Sequence, residues 1–129
     1  MVISTSGKEN YYTSVSNEFA ETYADATKDK GGSGQYFRPH DLICAGYASC
    51  LNMTVRMVLE KMDIHYQDVK VKVDLDRSRE DKTIFLYDVE IVADMDSQTK
   101  ELVIRTAKNC PVRKTLSKSI EFQKMKRES

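Results

Sequence analysis

The stretch that decides the fold is Pro39-His40-Asp41-Leu42-Ile43-Cys44-Ala45-Gly46-Tyr47-Ala48-Ser49-Cys50-Leu51-Asn52-Met53-Thr54. Pro39 suits the first turn of a helix because its missing N–H has no intrahelical partner there, and Asp41 favours the positive end of the helix dipole. We therefore predict a long central helix over residues 39–62. Apolar and small residues at three- and four-residue steps predict one buried stripe, made of Ile43, Gly46, Tyr47, Cys50, Met53, Thr54 and Met57. The opposite, polar face is made of Asn52, Arg56 and Glu60.

Strands and shorter helices are predicted on either side of the central helix. The N-terminal part, about residues 1–27, has the composition of two or three short strands. Strict alternation of apolar and charged residues predicts a strand hairpin over residues 67–94. Helices over residues 97–119 and a last strand over residues 120–125 follow. This order of elements predicts a single α+β domain over residues 1–129, with mostly antiparallel sheet.

The composition of the chain limits the possible classes of function. Lys and Arg number 20 and Asp and Glu also number 20, so the formal net charge of the 129-residue chain is zero. Nucleic-acid-binding proteins usually carry a basic excess, so no nucleic-acid partner is predicted. The sequence contains no long uninterrupted apolar run and no secretion signal at its N-terminus. We therefore expect no membrane association and a cytoplasmic protein.

Two of the three cysteines lie in settings that favour redox chemistry. In the cytoplasm, a cysteine pair is more often catalytic or redox-sensing than structural. Cys50 lies in the middle of the predicted helix, whereas Cys110 directly precedes Pro111, where the N–H groups of a helix start can stabilise a thiolate. Each could instead be a packing residue, since free cysteine is among the most buried residue types. Only tertiary packing can bring the two cysteines together, and their spacing in the sequence does not show whether it does.

The remaining cysteine and the two histidines predict no further site. Cys44 and Cys50 point about 120° apart on an intact helix and lie about 9 Å apart along its axis, which is too far for a disulfide. We therefore expect Cys44 to be a small buried apolar residue. His40 and His65 are the only histidines and no Cys-x-x-Cys is present, so no metal site is predicted. No nucleotide-binding motif is present either, and no cofactor is expected.

Two cysteine motifs make this sequence similar to a known family. Pro39-x-x-Leu42-x-x-Ala45-Gly46-Tyr47-Ala48-x-Cys50, followed sixty residues later by Cys110-Pro111, resembles the OsmC/Ohr family of osmotically inducible protein C and organic hydroperoxide resistance proteins. The resemblance covers about residues 28–123. The residues Met53-Thr54-Val55-Arg56 and Cys110-Pro111-Val112 look closest to the OsmC-like branch of the family.

The resemblance implies a fold, a reaction and a partner. The fold would have antiparallel sheets, a long central helix and a second helix bearing Cys-Pro, in an intertwined homodimer with active sites at the subunit interface. Cys50 would match the peroxidatic cysteine and Cys110 the resolving cysteine of a thiol-dependent peroxidase for organic hydroperoxides. An external dithiol reductant would restore both thiols. An apolar pocket around Cys50 would select apolar hydroperoxides, and its expected lining is Ile43, Tyr47, Met53 and Met57.

The sequence departs from the family peroxidases at two positions. Those proteins hold the thiolate with an N-terminal arginine, whereas no arginine precedes Arg38 here. They also carry a glutamate directly after the proline, where this chain has His40 followed by Asp41. Arg38, His40 and Asp41 are therefore candidates for tuning the Cys50 thiolate; alternatively, Arg38 is an exposed loop residue and His40 a first-turn helix residue. The departures also motivate a second hypothesis, a non-catalytic OsmC-like dimer that binds a small apolar ligand at the subunit interface.

Overall fold

The computed structural model describes residues 1–127 of the chain. A three-stranded antiparallel sheet is followed by one long helix, a pair of long strands that form a second sheet, and two shorter helices. The elements in chain order are β1 (Ile3–Ser6), β2 (Thr13–Ser16), β3 (Glu21–Ala24), α1 (Pro39–Lys61), β4 (Tyr66–Asp76), β5 (Ile84–Ala93), α2 (Ser97–Ala107) and α3 (Pro111–Leu116). The predicted α+β class, with antiparallel sheets, a long helix and a later helix that follows Cys-Pro, is confirmed.

The chain divides into two compact units, and α1 and the β4–β5 hairpin each contribute residues to both. The first unit consists of Met1–Gly46 and Val73–Tyr87. The second consists of Tyr47–Lys72 and the segment that begins at Asp88. The prediction of one domain over residues 1–129 stays a prediction, and its last two residues, 128–129, lie outside the described part of the chain.

In the first unit, short polar turns close the β1–β3 sheet. Asn17 forms the turn between β2 and β3, where its Oδ1 accepts hydrogen bonds from the backbone N–H groups of Phe19 at 2.8 Å and Ala20 at 2.9 Å. An asparagine side chain that bonds its own following backbone is typical of a tight turn. Three tyrosine rings of this unit pack on one another with centroids 5.0 to 5.9 Å apart: Tyr12, Tyr23 and Tyr36.

Asp25 fixes the loop that leads from β3 to α1. Its carboxylate accepts hydrogen bonds from the backbone N–H of Ser33 at 2.9 Å, the Ser33 hydroxyl at 2.7 Å and the backbone N–H of Ala26 at 2.7 Å. The hydrogen bonds from Ser33 are the main reason that the pKa of this carboxyl lies below its ordinary value. The Asp25 N–H also donates to the Phe37 carbonyl at 2.9 Å. The chain therefore returns beside β3 shortly before α1 begins at Pro39.

Most of the hydrophobic core lies in the second unit and is built on one face of α1. Side chains four residues apart lie on the same face of a helix. Four such residues of α1 are buried, and the last three of them are 0% exposed: Tyr47, Leu51, Val55 and Leu59. The other elements of this unit supply the remaining buried side chains, which are Val69, Val89, Ile91, Val103, Ala107 and Cys110.

The stripe of α1 that the sequence predicts to be buried is largely exposed in this chain. Ile43, Met53 and Met57 are 45%, 50% and 59% exposed, whereas Tyr47 is buried. Cys50 lies at the border and is half-buried. The prediction of one buried stripe is therefore wrong for most of its members. The physical reason is that α1 is apolar on two adjacent faces, and periodicity does not tell which of them meets the core.

The polar face of α1 is also partly covered. The Nδ2 atom of Asn52 donates a hydrogen bond to the carbonyl of Val69 in β4 at 2.9 Å. Arg56 is half-buried, and its Nε atom is buried with no hydrogen-bond partner, whereas Glu60 is exposed. Asn52 therefore faces β4 rather than water, whereas this side of the helix is open to solvent at Glu60.

The predicted last strand over residues 120–125 is wrong. Residues 120–127 have no regular secondary structure, and Ile120, Phe122 and Met125 are 60%, 96% and 71% exposed. A strand needs a neighbouring edge for its N–H and C=O groups, and within residues 1–127 no strand pairs with this segment. The region predicted as helical over residues 97–119 contains two helices, separated at Cys110.

Within residues 1–127, α1 is the one helix that is long and apolar enough to cross a membrane by length and composition. The central helix of a soluble protein has the same properties. One face of α1 is buried in the core of the second unit, whereas the face that carries Met53 and Met57 is exposed. An exposed apolar surface of this kind usually marks a site of association.

We expect Leu51→Ala to lower the free energy of unfolding by about 2–5 kcal/mol, because removal of a fully buried leucine leaves a cavity. Urea denaturation followed by circular dichroism measures the change. Leu102→Ala on α2 is the matched control, since Leu102 is 46% exposed and its truncation should change the free energy by no more than about 0.5 kcal/mol. Equal losses in the two variants would show that this face of α1 is not the core.

Candidate active site

Cys50 and Cys110 meet within the second unit. Cys50 is on α1, and Cys110 is the residue directly before α3. Both are free thiols, and Cys50 lies close enough to raise the pKa of the Cys110 thiol. Cys110 is 1% exposed, whereas Cys50 is half-buried. The tertiary packing therefore brings together the two cysteines that the sequence singled out.

The Cys-Pro sequence places the Cys110 thiol at the start of α3. Cys110 has extended backbone angles, φ −63° and ψ 161°, and Pro111 occupies the first helical position. Proline is favoured there because its fixed φ suits a helix and its missing N–H has no partner to lose. The Cys110 carbonyl accepts the hydrogen bond of the Lys114 N–H at 3.0 Å. The residue is therefore held by the helix it precedes.

Burial raises the pKa of the Cys110 thiol above its ordinary value. The backbone N–H groups of Arg113 and Val112 oppose this rise because they stabilise a thiolate, whereas the neighbouring Cys50 adds to it through its hydrogen bond and its charge. Since burial is the largest cause, Cys110 holds its proton at neutral pH. A protonated thiol in this position can donate a hydrogen bond to Cys50.

The two thiols therefore differ in what they can do. Cys50 is the one that a dissolved oxidant reaches, because Cys110 is almost completely buried. Two cysteine side chains in contact can form a disulfide with only local adjustment. A sulfenic acid on Cys50 would have a thiol beside it, which is the condition for closing a disulfide before further oxidation. The arrangement can therefore support a two-cysteine redox cycle.

Of the three candidates for tuning the thiolate, two are paired with each other at the start of α1. The Nε and Nη2 atoms of Arg38 donate hydrogen bonds to the two carboxylate oxygens of Asp41 at 3.2 Å and 3.1 Å. These bonds are the main reason that the pKa of Asp41 is lowered and that of Arg38 raised. His40 is exposed in the first turn. The three residues belong to the first unit, and their action on Cys50 stays a prediction.

Cys44 shows the features of a packing residue of the first unit. It is half-buried, and burial is the largest cause that raises the pKa of its thiol. The carboxylates of Asp74 and Asp41 raise that pKa further, and Arg38 acts against them. Within residues 1–127, no group of three or more His, Cys, Asp or Glu side chains is placed to hold a metal ion.

The surface of α1 beside Cys50 is apolar and open. Of the four residues expected to line a pocket, Tyr47 is buried, and Ile43, Met53 and Met57 are at the surface. Gly46, one turn before Cys50, is exposed, and a Cβ atom built there would meet no atom within 4 Å. A pocket over Cys50 therefore requires a second surface to close it.

A separate cavity of about 600 Å³ lies in the first unit. Polar groups of the loop between β1 and β2, the side chains of Asp25 and Ser33, and the rings of Tyr12 and Tyr36 line it. None of the predicted site residues contributes to its lining. No sequence motif predicted this cavity, because its walls come from loops of mixed composition.

Sequence reasoning missed Arg113. Its Nη1 atom lies 3.5 Å from the hydroxyl oxygen of Tyr47, which is 2% exposed. Arg113 is one turn after Cys110, and Tyr47 is one turn before Cys50. The sequence does place a basic residue three positions after Cys110. The contact of that residue with α1, however, could not be predicted from the sequence.

The geometry of the two cysteines agrees with what comparison of the chain with known proteins shows. A family model described as OsmC-like protein matches residues 32–124, which is more than half of the chain and includes both cysteines. The chain belongs to the OsmC-like protein family. The resemblance given by the two cysteine motifs is thereby confirmed.

Individual relatives of this OsmC-like protein are distant in sequence. The organic hydroperoxide resistance protein-like 2 of Staphylococcus epidermidis is 24% identical over 127 residues, which are 95% of this chain and 89% of that protein. The structure of an OsmC-like protein from Mycoplasma pneumoniae is 17% identical, with a TM-score of 0.77 over 90% of this chain and 85% of that chain. The organic hydroperoxide resistance protein OhrB of Bacillus subtilis is 19% identical, with a TM-score of 0.57 over 91% and 89%. At these identities, the structural similarity shows the fold alone.

We expect iodoacetamide to alkylate Cys50 before Cys110 in the folded protein. The reason is that Cys110 is 1% exposed and that burial raises the pKa of its thiol, which leaves little thiolate to react. Peptide mass spectrometry of samples quenched over time measures the two rates. In denaturant the difference should disappear, which is the control. Faster labelling of Cys110 in the folded protein would contradict the described burial.

Proposed function

We propose that this OsmC-like protein is a thiol-dependent peroxidase that reduces organic hydroperoxides. The observation that carries the proposal is the proximity of a half-buried Cys50 to a buried Cys110, whose thiol pKa is raised by burial. Family membership supports a role in the response to peroxide stress. The names of two relatives support the substrate class: the organic hydroperoxide resistance protein-like 2 of Staphylococcus epidermidis and the organic hydroperoxide resistance protein OhrB of Bacillus subtilis.

The reaction proceeds in three steps. The Cys50 thiolate attacks the terminal oxygen of the hydroperoxide, the O–O bond breaks, and Cys50 becomes a sulfenic acid while the alkoxide takes up a proton and leaves as an alcohol. The Cys110 thiolate then attacks the sulfenic sulfur, the S–O bond breaks as the disulfide forms, and the leaving hydroxide takes up a proton from solvent to become water. An external dithiol reduces this disulfide by thiol exchange, is itself oxidised to a disulfide, and restores both cysteines.

The state of Cys110 supports this division of roles. A thiol kept protonated by burial does not compete with Cys50 for the hydroperoxide. It can also supply the proton that the departing alkoxide needs, since it lies beside Cys50. The resulting Cys110 thiolate, stabilised by the N–H groups of Val112 and Arg113, is the form that attacks the sulfenic acid.

We infer that the working form is a homodimer in which a second copy covers the exposed stripe of α1. Ile43, Met53 and Met57 form an apolar surface along one side of the helix, and the half-buried Cys50 lies in the same row, seven residues from Ile43 and from Met57. Burial of such a surface stabilises association. A second copy would close an apolar pocket over the thiol, which favours apolar hydroperoxides. We place this dimer in the cytoplasm, where reducing conditions keep both cysteines as thiols.

A non-catalytic dimer that binds a small apolar ligand at the same surface is the second candidate. The pairing of Arg38 with Asp41 favours it, because this cation is already engaged by a carboxylate. In that case the thiols are packing residues, and the protein consumes hydroperoxide no faster than free cysteine does.

We expect Cys50→Ser to abolish turnover of cumene hydroperoxide with a dithiol, because a serine hydroxyl does not attack the peroxide. Cys110→Ser should allow one reaction that ends in over-oxidation of Cys50, since no resolving thiol remains. Intact mass after one equivalent of hydroperoxide should show the loss of two hydrogens in the wild type and the gain of oxygen in Cys110→Ser. Cys44→Ser is the control and should turn over normally. Wild-type turnover by Cys50→Ser would refute the peroxidase, and an unchanged wild-type mass would favour the binding module.

We expect Met53→Glu to convert the dimer into monomers, because it places a charge in the apolar surface that the second copy covers. Analytical ultracentrifugation over a range of protein concentrations measures the change. Leu102→Glu, an equally drastic change at an exposed position of α2, should leave the dimer intact. A wild-type chain that stays monomeric at all concentrations would rule out the homodimer.

A further inference from the structure

The contact between Arg113 and Tyr47 joins the two helices that carry the cysteines. The Arg113 Nη1 atom lies 3.5 Å from the Tyr47 hydroxyl oxygen. Tyr47 is 2% exposed and belongs to the buried face of α1, so its hydroxyl is fixed by the core. The contact is one helical turn from Cys50 on one side and one turn from Cys110 on the other.

The helix α3 needs such an attachment. It has six residues, and none of them is buried. Isolated helices shorter than about 12–15 residues are only marginally stable in water. The chain is held at the start of α3 by the buried Cys110. Within α3, the side chain of Arg113 contacts the fixed side chain of Tyr47.

The backbone of Arg113 is itself firmly held. Its carbonyl accepts hydrogen bonds from the backbone N–H of Ser117 at 2.9 Å and from the Ser117 hydroxyl at 2.7 Å. Its N–H points to Cys110, where it stabilises a thiolate. A restraint on the guanidinium is therefore transmitted through one turn of backbone to the Cys110 sulfur.

We propose that Arg113 is a positioning residue which, through Tyr47, holds Cys110 against Cys50 and so sets how readily their disulfide closes. The consequence for catalysis rests on the proposed peroxidase function, but the geometric claim does not. Without the contact, α3 separates from α1 for a larger share of the time. The Cys50 sulfenic acid then waits longer for Cys110, and a second hydroperoxide oxidises it to the sulfinic acid.

The direct test is the equilibrium of the protein with glutathione, which needs no peroxidase activity. Glutathione disulfide oxidises the two thiols to the Cys50–Cys110 disulfide and is reduced to two molecules of glutathione. We expect Arg113→Met and Tyr47→Phe each to lower this equilibrium constant about tenfold, which is about 30 mV in reduction potential. Arg113→Lys should restore part of the loss, because lysine keeps a charged donor.

Lys114→Met is the matched control, since Lys114 is exposed and adjacent on α3. It removes the same charge from the same helix and should leave the equilibrium constant unchanged. The double variant Tyr47→Phe/Arg113→Met should show no larger loss than either single variant, because the two residues act through one contact. Equal constants for Arg113→Met and Lys114→Met, or single losses that multiply in the double variant, would overturn the proposal.

A second measurement separates this inference from the proposed function. At increasing cumene hydroperoxide, Arg113→Met should accumulate sulfinic Cys50 about tenfold more than Lys114→Met, as read by peptide mass spectrometry. A changed glutathione equilibrium without turnover in any variant would refute the peroxidase and keep the positioning role. Normal turnover with an unchanged glutathione equilibrium in Arg113→Met would support the peroxidase and refute the positioning role of Arg113. Tyr47→Phe keeps the buried ring, so it remains informative if Arg113→Met does not fold.

Discussion

Burial of one face of α1 is the constraint on which the rest of the structure depends. Leu51, Val55 and Leu59 are fully buried, and together they fix the rotation of the helix about its axis. That rotation leaves Cys50 at the border between core and surface. Since neighbouring residues on a helix differ by about 100°, a rotation by a single residue position would move the thiol fully into the core or fully into solvent. The accessibility of the sulfur is therefore set by apolar packing rather than by polar groups around it.

Much of the fold could be predicted from local chemistry. Pro39 with Asp41 predicted the start of α1, and the alternation of apolar and charged residues predicted β4. Cys110-Pro111 predicted the start of α3. The orientation of α1 could not be predicted, because two adjacent faces of the helix are equally apolar. The segment over residues 120–125 has strand composition, but a strand forms only where an edge is available, and composition carries no information on that.

The individual residues of the candidate site could be predicted from the sequence, but their contacts with one another could not. Cys50 and Cys110 could be chosen by their settings, but sixty residues separate them and only packing shows that they touch. The contact of Arg113 with Tyr47 is equally long-range. The pairing of Arg38 with Asp41 is different, because residues three apart at a helix start are neighbours and opposite charges there attract. The spacing of these two residues in the sequence therefore indicates the ion pair. The pairing with Asp41 is the reason why Arg38 is not a free cation.

Gly46 gives α1 a property that the core does not require. Alanine at this position would favour the helix by about 1 kcal/mol, and within residues 1–127 no neighbouring side chain lies within 4 Å of the place that its methyl group would take. Gly46 is exposed, so the bare backbone of this turn lies open on the helix surface. A residue without a side chain lets another backbone approach closely. The helix thus gives up intrinsic stability at this turn and keeps a surface that a neighbouring chain could approach closely.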